Sequence, residues 1–360
     1  MADKKYRVLV VGCGNMGTSH ARAYRRLDEF DVAGVVSRGP ESRGRLSQEL
    51  GGVAEFGDFE EALSAVNPDA VCISTYPGTH AEYAIKSLEA GAHVFVEKPI
   101  AETVGDAEAV VEAARQTGKK VVVGYILRHH PGWRQFIDRA RKLGKPLVMR
   151  MNLNQQSSGS EWEVHKNIME AMSPIVDCGV HYVDVMCQMT GAKPVSVHAI
   201  GARLSEEIDP GMYNYGQLQV RFDDGSVGWY ESGWGPMISE QAYFIKDVMG
   251  PEGSVSIRKN TFDLPRGSSA DIGSHTGVPA LQLHSSKRDK KGRLVSPEQI
   301  LDTPEEPDHD ELCYLEQKYF LKSIMEDLDL TGHLNEVVHT LKIVLASDES
   351  VKTGRAVELS

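Results

Sequence analysis

Basic charge is the first thing this chain is short of: 39 Lys and Arg stand against 51 Asp and Glu, a net charge of −12. That balance provides no field for nucleic acid or an anionic membrane, although a local basic pocket could still hold an anionic substrate. Cysteine is scarce too. Its five residues (13, 72, 178, 187 and 313) form no CxxC pair and several sit inside apolar runs, which reads as small buried thiols in a reducing compartment. No apolar run approaches membrane-spanning length, and Met1-Ala-Asp-Lys-Lys5 leads directly into the first strand with no signal peptide between. Internal repeats and low-complexity tracts are absent. These absences together indicate a cytoplasmic protein with neither a nucleic-acid nor a membrane partner. What remains is ordinary globular composition, 41% hydrophobic and 25% charged over 360 residues, enough for two domains with substantial cores.

The informative stretch lies at the front. Val8-Leu-Val-Val11 runs into Gly12-x-Gly14-x-x-Gly17 and then into a helical segment, Thr18 to Leu27. Strand, glycine turn and helix follow in the order a dinucleotide site requires. Gly12 permits the tight turn, Gly14 lets a pyrophosphate approach the backbone, and Gly17 lets helix and strand pack closely. The helix N-terminus offers unpaired N–H groups and the positive end of its dipole. Gly12, Gly14, Asn15, Met16 and Gly17 are therefore candidate cofactor residues.

A second strand is expected over Asp31–Ser37, and the residue after it selects the cofactor. Here stand Ser37 and Arg38, with Arg43 further on and no carboxylate at the tip, which favours NADP(H) over NAD(H). Glu41–Leu50 reads as helix, Asp58 as the cap of helix 59–66, and Asp69–Ser74 as a buried parallel strand. Its carboxyl end delivers the loop Thr75-Tyr76-Pro-Gly-Thr-His80, where Thr75, Tyr76 and His80 are candidate cofactor contacts. Helix 81–90 and strand 93–97 bring Glu97-Lys98-Pro99 to the same edge, and helix 103–117 and strand 120–124 lead to Tyr125-x-x-Arg128. Alternating strands and helices imply a doubly wound parallel sheet, which we close at residue 126. On position alone, Lys98 reads equally well as a substrate-facing cation and as a surface lysine.

From residue 127 to 360 the rhythm changes. Helix 133–143 and strand 145–154 precede a polar, flexible stretch, 155–160, and a segment carrying Trp162 and His165. Strands 194–201, 215–222 and 226–233 look antiparallel, the last two joined by Asp223-Asp224-Gly225, and 243–249 and 254–258 extend the sheet. Residues 260–309 read as loop and edge, and helices follow over 311–326 and 334–353. One helix, 173–189, carries Asp177, His181 and Asp184 on one face. A carboxylate one turn from an imidazole can orient it as a proton shuttle, although such a pair equally stabilises a helix. Neither an HxxxH motif nor a cysteine cluster supports a metal site.

Taken together, these motifs resemble the glucose–fructose oxidoreductase / inositol dehydrogenase / MocA (Gfo/Idh/MocA) family over nearly the whole chain. The resemblance rests on Gly12-x-Gly14-x-x-Gly17, Glu97-Lys98-Pro99, Tyr125-x-x-Arg128 and Asp177-x-Gly179-x-His181-x-x-Asp184. It implies an α/β protein: a Rossmann domain, then an α/β domain whose large, mostly antiparallel open sheet assembles a homodimer or homotetramer, with the C-terminal helices packing back on the first domain. It also implies a dehydrogenase or reductase of a sugar, polyol or cyclitol. In that reading His181 is the general acid/base, Lys98 polarises the reacting oxygen and Asp177 holds the substrate, while Glu97 and Lys98 also border the cofactor. Tyr125, Arg128, Asn152, Trp162 and His165 are candidate substrate residues beside them, and no metal is required. The chain departs from relatives at Tyr76, where proline is common, and at Met169–Pro174, which lacks their paired glycines. The rival readings are a redox-neutral NAD-dependent glycosidase, a non-catalytic dinucleotide sensor and a reductase of non-sugar substrates.

Overall fold

A computed structural model describes residues 5–239, 244–258, 276–303 and 305–359. The apolar runs of the first third become six parallel strands, β1 (Tyr6–Val11), β2 (Phe30–Val36), β3 (Ala54–Phe56), β4 (Ala70–Ile73), β5 (His93–Glu97) and β6 (Val121–Gly124), in the order β3-β2-β1-β4-β5-β6. β4 and β6 are buried along their whole length, as strands covered on both faces must be. Five helices connect them: α1 (Asn15–Arg25), α2 (Pro40–Glu49), α3 (Phe59–Val66), α4 (His80–Glu89) and α5 (Val104–Thr117). Asp58 caps α3 by accepting from the Glu61 N–H at 2.9 Å, as its place before the apolar run predicts. Strand β3 had no counterpart in the sequence reading. Its three residues carry no buried run, and pairing with β2 alone makes them a strand.

This unit comprises residues 1–129 and 307–338, so its first segment ends three residues beyond the expected boundary. The later segment supplies α10 (His309–Met325), which packs along α1. Phe320 of α10 is fully buried, stacked on Phe30 at 6.2 Å and 15° and 6.2 Å from the Phe95 ring.

The second unit comprises residues 130–306 and 339–360. Its elements are α6 (Pro131–Ala140), β7 (Val148–Gln156), α7 (Ser160–Met169), α8 (Pro174–Asp177), α9 (Gly179–Thr190), β8 (Pro194–Ala202), β9 (Tyr215–Phe222) and β10 (Val227–Gly235). They continue through β11 (Lys246–Gly250), β12 (Gly253–Arg258), β13 (Ala280–Ser285), β14 (Gln299–Asp302) and β15 (Val357–Glu358). The last helix, α11 (Thr331–Thr353), starts in the first unit and ends in the second. The nine strands pair in the order β14-β13-β12-β11-β7-β10-β9-β8-β15.

The sheet is mostly antiparallel, as expected, with one parallel pair, and two local expectations change. β7 and β10 pair in parallel, from Val227 opposite Val148 to Gly235 opposite Gln156, whereas every other neighbouring pair is antiparallel. Gln155 and Gln156, expected in a flexible stretch, finish β7 because this parallel ladder extends over them. β13 and β14 add two strands to the sheet within the stretch read as loop and edge. The readings that fall on Tyr243 and on 260–275 lie outside the described residues.

Glycine sets the contact between helices and sheet. A Cβ at Gly179 would lie 2.8 Å from the Tyr230 ring, and one at Gly228 would lie 2.6 Å from the Met186 sulfur. The opposite face leaves Val148, Val227 and Met249 exposed, and the two valines line a concavity of about 600 Å³ with Arg150, Gln219 and Trp229.

Because Phe320 fills the centre of the first unit's core from a segment some two hundred residues downstream, Phe320→Ala should cost about 3–5 kcal/mol. Urea unfolding followed by tryptophan-independent far-UV dichroism checks this; a loss below about 1 kcal/mol would contradict the packing.

Candidate active site

The glycine turn is built as its spacing requires. Gly12 has φ +101°, and a Cβ there would stand 2.2 Å from the Ser74 carbonyl oxygen. At Gly17 a Cβ would lie 1.8 Å from the Gly12 carbonyl oxygen. Gly14 differs from both, because a Cβ there meets nothing within 4 Å; the missing side chain leaves open space in front of the backbone. Helix α1 starts immediately after it, with no side-chain cap and no acidic residue in its first turn. Exposed N–H groups and a positive dipole end facing open space form a cradle for a phosphate, so these residues fit a dinucleotide. Cys13 turns inward, its thiol 3.6 Å from the Val36 carbonyl, and burial pushes its pKa up to about 11, against the pull of Arg43.

The tip of β2 divides its two arginines. Arg43 donates to the carbonyls of Ser37 at 2.9 Å and Arg38 at 3.4 Å and lies 3.8 Å from Glu55, so it shapes the turn. Arg38 is exposed. At the β4 tip, Thr75 and Thr79 share a hydroxyl hydrogen bond of 2.7 Å, Thr79 also donates to the Tyr76 carbonyl, and Tyr76 projects outward, 79% exposed. His80, a candidate cofactor contact, is buried. Its ring nitrogens lie 2.7 Å from the Pro99 oxygen and 3.0 Å from the Thr75 oxygen, tying two strand-tip loops together. Burial holds its pKa below the usual histidine value despite those two carbonyls.

At the β5 tip, Glu97 is buried and Lys98 half-buried. Glu97 Oε1 lies 2.6 Å from His20 Nε2, and Oε2 accepts from the Lys98 backbone N–H at 3.2 Å. Beyond β6 two substrate candidates turn out to be internal. Tyr125 is buried, with the Arg128 guanidinium 5.6 Å from its ring. Arg128 itself lies 2.9 Å from His333 Nδ1 and 2.8 Å from Glu336, while the Val123 N–H donates to His333 Nε2. Burial and the Arg128 charge hold the His333 pKa well down. Arg128 is thus a brace within the first unit, since its guanidinium is engaged on two sides.

In the second unit the single helix expected over 173–189 is two. Ser173 caps α8, accepting from the Val176 N–H and donating to Asp348 at 2.7 Å; α8 ends at Asp177, and α9 starts at Gly179. The His181 N–H reaches only to the Cys178 carbonyl, a tighter turn than an α-helix makes. Asp177 and His181 are half-buried at this joint. Asp184, three residues after His181 in α9, is fully buried and accepts from Gln188 at 2.9 Å.

Beside Asp177 lies a polar and aromatic group. The Cys178 thiol sits 3.5 Å from Asp177 and donates to Gln155 Oε1 at 3.4 Å, and Trp234 Nε1 donates to the same oxygen at 2.8 Å. His165 stacks on Trp234 at 4.4 Å and lies 2.9 Å from the Ser157 hydroxyl. Burial lowers the His165 pKa, while the Asp177 charge pulls it up. Trp162 is buried and donates to Glu207 at 3.2 Å. Asn152, a substrate candidate, is a sheet fastener: its side-chain oxygen accepts from the Ile245 N–H at 2.8 Å, and its carbonyl accepts from buried Lys246. Sequence reasoning passed over Gln155, Ser157, Trp234 and Lys246. Trp234 and Lys246 had a signal, an apolar-face position in an alternating strand, whereas the glutamine and serine had none.

Comparison with known proteins decides the lineage. The model of an oxidoreductase family with an NAD-binding Rossmann fold matches residues 6–125, and the GFO/IDH/MocA C-terminal domain matches residues 134–256. The chain belongs to the Gfo/Idh/MocA family of oxidoreductases. It is 30% identical over 288 residues to scyllo-inositol 2-dehydrogenase (NAD(+)) of Bacillus subtilis, covering 75% of this chain and 80% of that one. It is 25% identical over 274 residues to D-glucoside 3-dehydrogenase of Escherichia coli, covering 71% and 78%. The fold is that of scyllo-inositol dehydrogenase from Lactobacillus casei, crystallised with NAD(H) and scyllo-inositol, with a TM-score of 0.76, 21% identity and 99% of each chain covered.

The first unit of this Gfo/Idh/MocA protein is thus an NAD-binding Rossmann fold. Among the described residues no helix is long and apolar enough to cross a membrane. The three motif glycines of this family member should separate by experiment. Gly14→Ala should leave thermal stability within about 0.5 kcal/mol and weaken NADH binding at least about tenfold, whereas Gly17→Ala should destabilise the fold itself. NADH fluorescence titration beside differential scanning calorimetry tests the pair, and equal stability losses at both positions would refute the cradle.

Proposed function

We propose that this protein is an NAD(P)-dependent dehydrogenase or reductase that acts on a hydroxyl or carbonyl of a sugar, polyol or cyclitol. The observation that carries the reading is the open cradle at Gly14 and the uncapped start of α1, in a chain whose relatives are dehydrogenases of an inositol and a glucoside. Gly12, Gly14, Asn15, Met16 and Gly17 would hold the dinucleotide, with Thr75, Tyr76 and the Ser37-Arg38 tip completing its bed. Bound there, its nicotinamide supplies hydride exchange with a carbon centre.

The proton falls to the chain. His181 exchanges it with the substrate oxygen as general acid/base, and Asp177 holds substrate beside it. The Lys98 ammonium polarises that oxygen and supports its developing negative charge, a role that needs no metal. His165 and Trp162 border the substrate side. Assembly into a homodimer or homotetramer through the open sheet face belongs to the same reading, with sedimentation velocity as its check.

A panel of sugars, sugar phosphates, inositols and their keto forms, followed by nicotinamide absorbance, tests the function. Turnover of at least one compound is expected; redox-neutral cleavage of an aryl glycoside in its place would overturn the reading. On the active compound, His181→Asn should cut turnover by about 10²–10⁴ and leave NADH affinity unchanged. Wild-type turnover in that variant would remove His181 from the chemistry.

The exposed Arg38, with no carboxylate at the β2 tip, supports NADP(H) as the preferred cofactor. Arg38→Ala should weaken NADPH by about tenfold or more, roughly one charged contact, and leave NADH nearly unchanged. Isothermal titration with both cofactors decides, and equal losses would exclude a 2′-phosphate contact.

A further inference from the structure

The first unit buries more acid than its cradle uses. Glu316 of α10 is 1% exposed, and neither of its carboxyl oxygens has a hydrogen-bond partner among the described residues. Around it stand His20 and Tyr24 of α1, Cys72 of β4, Glu97 of β5, and Cys313 and Gln317 of α10. Burial raises the pKa of the Glu316 carboxyl, the Tyr24 hydroxyl and the two thiols, and the Glu97 charge adds to the rise at Glu316. Burial thus favours the neutral form of those four groups, and the Glu97 charge acts on Glu316 in the same direction. His309 and Asp310 approach this cluster from the start of α10.

The hydrogen bonds then run in one direction. The Gln317 amide donates to His20 Nδ1 at 2.9 Å, which puts the His20 proton on Nε2, and Nε2 donates to Glu97 Oε1 at 2.6 Å. The other Glu97 oxygen accepts from the Lys98 backbone N–H at 3.2 Å. The carboxylate lies against Gly124, where a Cβ would stand 3.1–3.2 Å from three of its atoms, so glycine at that position gives it room.

We propose that Gln317, His20 and Glu97 form a positioning chain for Lys98: Gln317 selects the His20 tautomer, His20 holds one oxygen of Glu97, and the other oxygen holds the Lys98 backbone. Glu97 therefore acts through Lys98, not as a ligand of the dinucleotide. Glu316 contributes as a neutral wall that keeps a second charge away. This rests on the reading of Lys98 as the group that polarises the substrate oxygen. Ligand atoms of His20, Cys313 and Glu316 also lie within 4.8 Å of one another, an arrangement that could hold a metal ion. Both His20 nitrogens are already engaged by Glu97 and Gln317, and this favours the hydrogen-bonded chain.

The test reads Lys98 directly. In full-length protein with ¹³C-dimethylated lysines, the Lys98 resonance is the one lost in Lys98→Arg, and its titration midpoint is followed by NMR. A carboxylate one residue away favours the ammonium. Glu97→Gln should therefore lower the midpoint by about one pH unit, and His20→Asn, whose amide cannot reach Glu97, should lower it by roughly half as much. His20→Gln carries a donor at the Nε2 position and should restore the wild-type midpoint, and Glu316→Gln should leave it unmoved. NADH affinity should stay unchanged in all four. An unmoved Lys98 midpoint in folded Glu97→Gln and His20→Asn would overturn the proposal. A thiolate-to-cobalt absorption band on adding Co²⁺ would overturn it too, by making the cluster a metal site. If instead the midpoints move as expected while Lys98→Met keeps full turnover on the panel substrate, the chain stands and the role of Lys98 falls.

Discussion

Two backbone oxygens set the geometry on which the first unit depends. The Ser74 carbonyl occupies the space a side chain at Gly12 would need, and the Gly12 carbonyl occupies the space a side chain at Gly17 would need. β4, the glycine turn and α1 are thereby locked together through contacts that no other residue type permits. The consequence appears at Gly14, the one motif position with nothing around it. Both neighbours are pinned, so the open space in front of α1 is a fixed feature of the backbone. A ligand that binds there meets donors already aligned, and little ordering entropy is left to oppose it.

A second dependence runs from the far end of the chain. Residues 307–338 complete the core that the first 129 residues begin, and Phe320 reaches the same aromatic group as Phe30 and Phe95. The same helix supplies Glu316 and Gln317 to the polar cluster behind β5. In the buried His20–Glu97 pair, with side chains only 0% and 9% exposed, loss of the histidine would leave the carboxylate without this hydrogen bond, at a cost of about 1.5–3 kcal/mol. Helix α10 completes the pair, its Gln317 amide donating to the second His20 nitrogen at 2.9 Å. Stability and site geometry in this unit therefore come from one late segment.

What the sequence made legible follows the range of the interactions involved. The glycine turn, the Asp58 cap and the strands before Glu97 and Thr75 depend on neighbours within a few residues, and each stands where pattern places it. Strand β3 has only three residues, and α9 opens on Gly179, where a Cβ would lie 2.8 Å from the Tyr230 ring of a strand about fifty residues later. The parallel pairing of β7 with β10 joins strands that the whole of residues 157–226 separates, and nothing in their alternation distinguishes it from an antiparallel match. Site residues divide the same way. Arg128, just past the end of β6, and Asn152, in the middle of β7, both carry the right chemistry for a ligand. A histidine 205 residues away in one case, and the Ile245 N–H 93 residues away in the other, make them internal fasteners.

Histidine sharpens that point. His80 joins two loops through carbonyls, His333 accepts a strand N–H, and His165 stacks on Trp234; burial lowers the pKa of all three. Three of this protein's imidazoles thus serve as buried cross-links, so the presence of a histidine near a carboxylate argues little by itself. His181 differs in two physical respects. It stands half-buried in the first turn of α9, immediately past the Cys178 joint, and a half-buried Asp177 ends the helix before it. A proton-exchanging group needs partial access to its partner and a neighbour that stabilises its charged form. The break between α8 and α9, which the sequence pattern concealed, is the feature that leaves these two side chains at a joint and not along a continuous buried stripe.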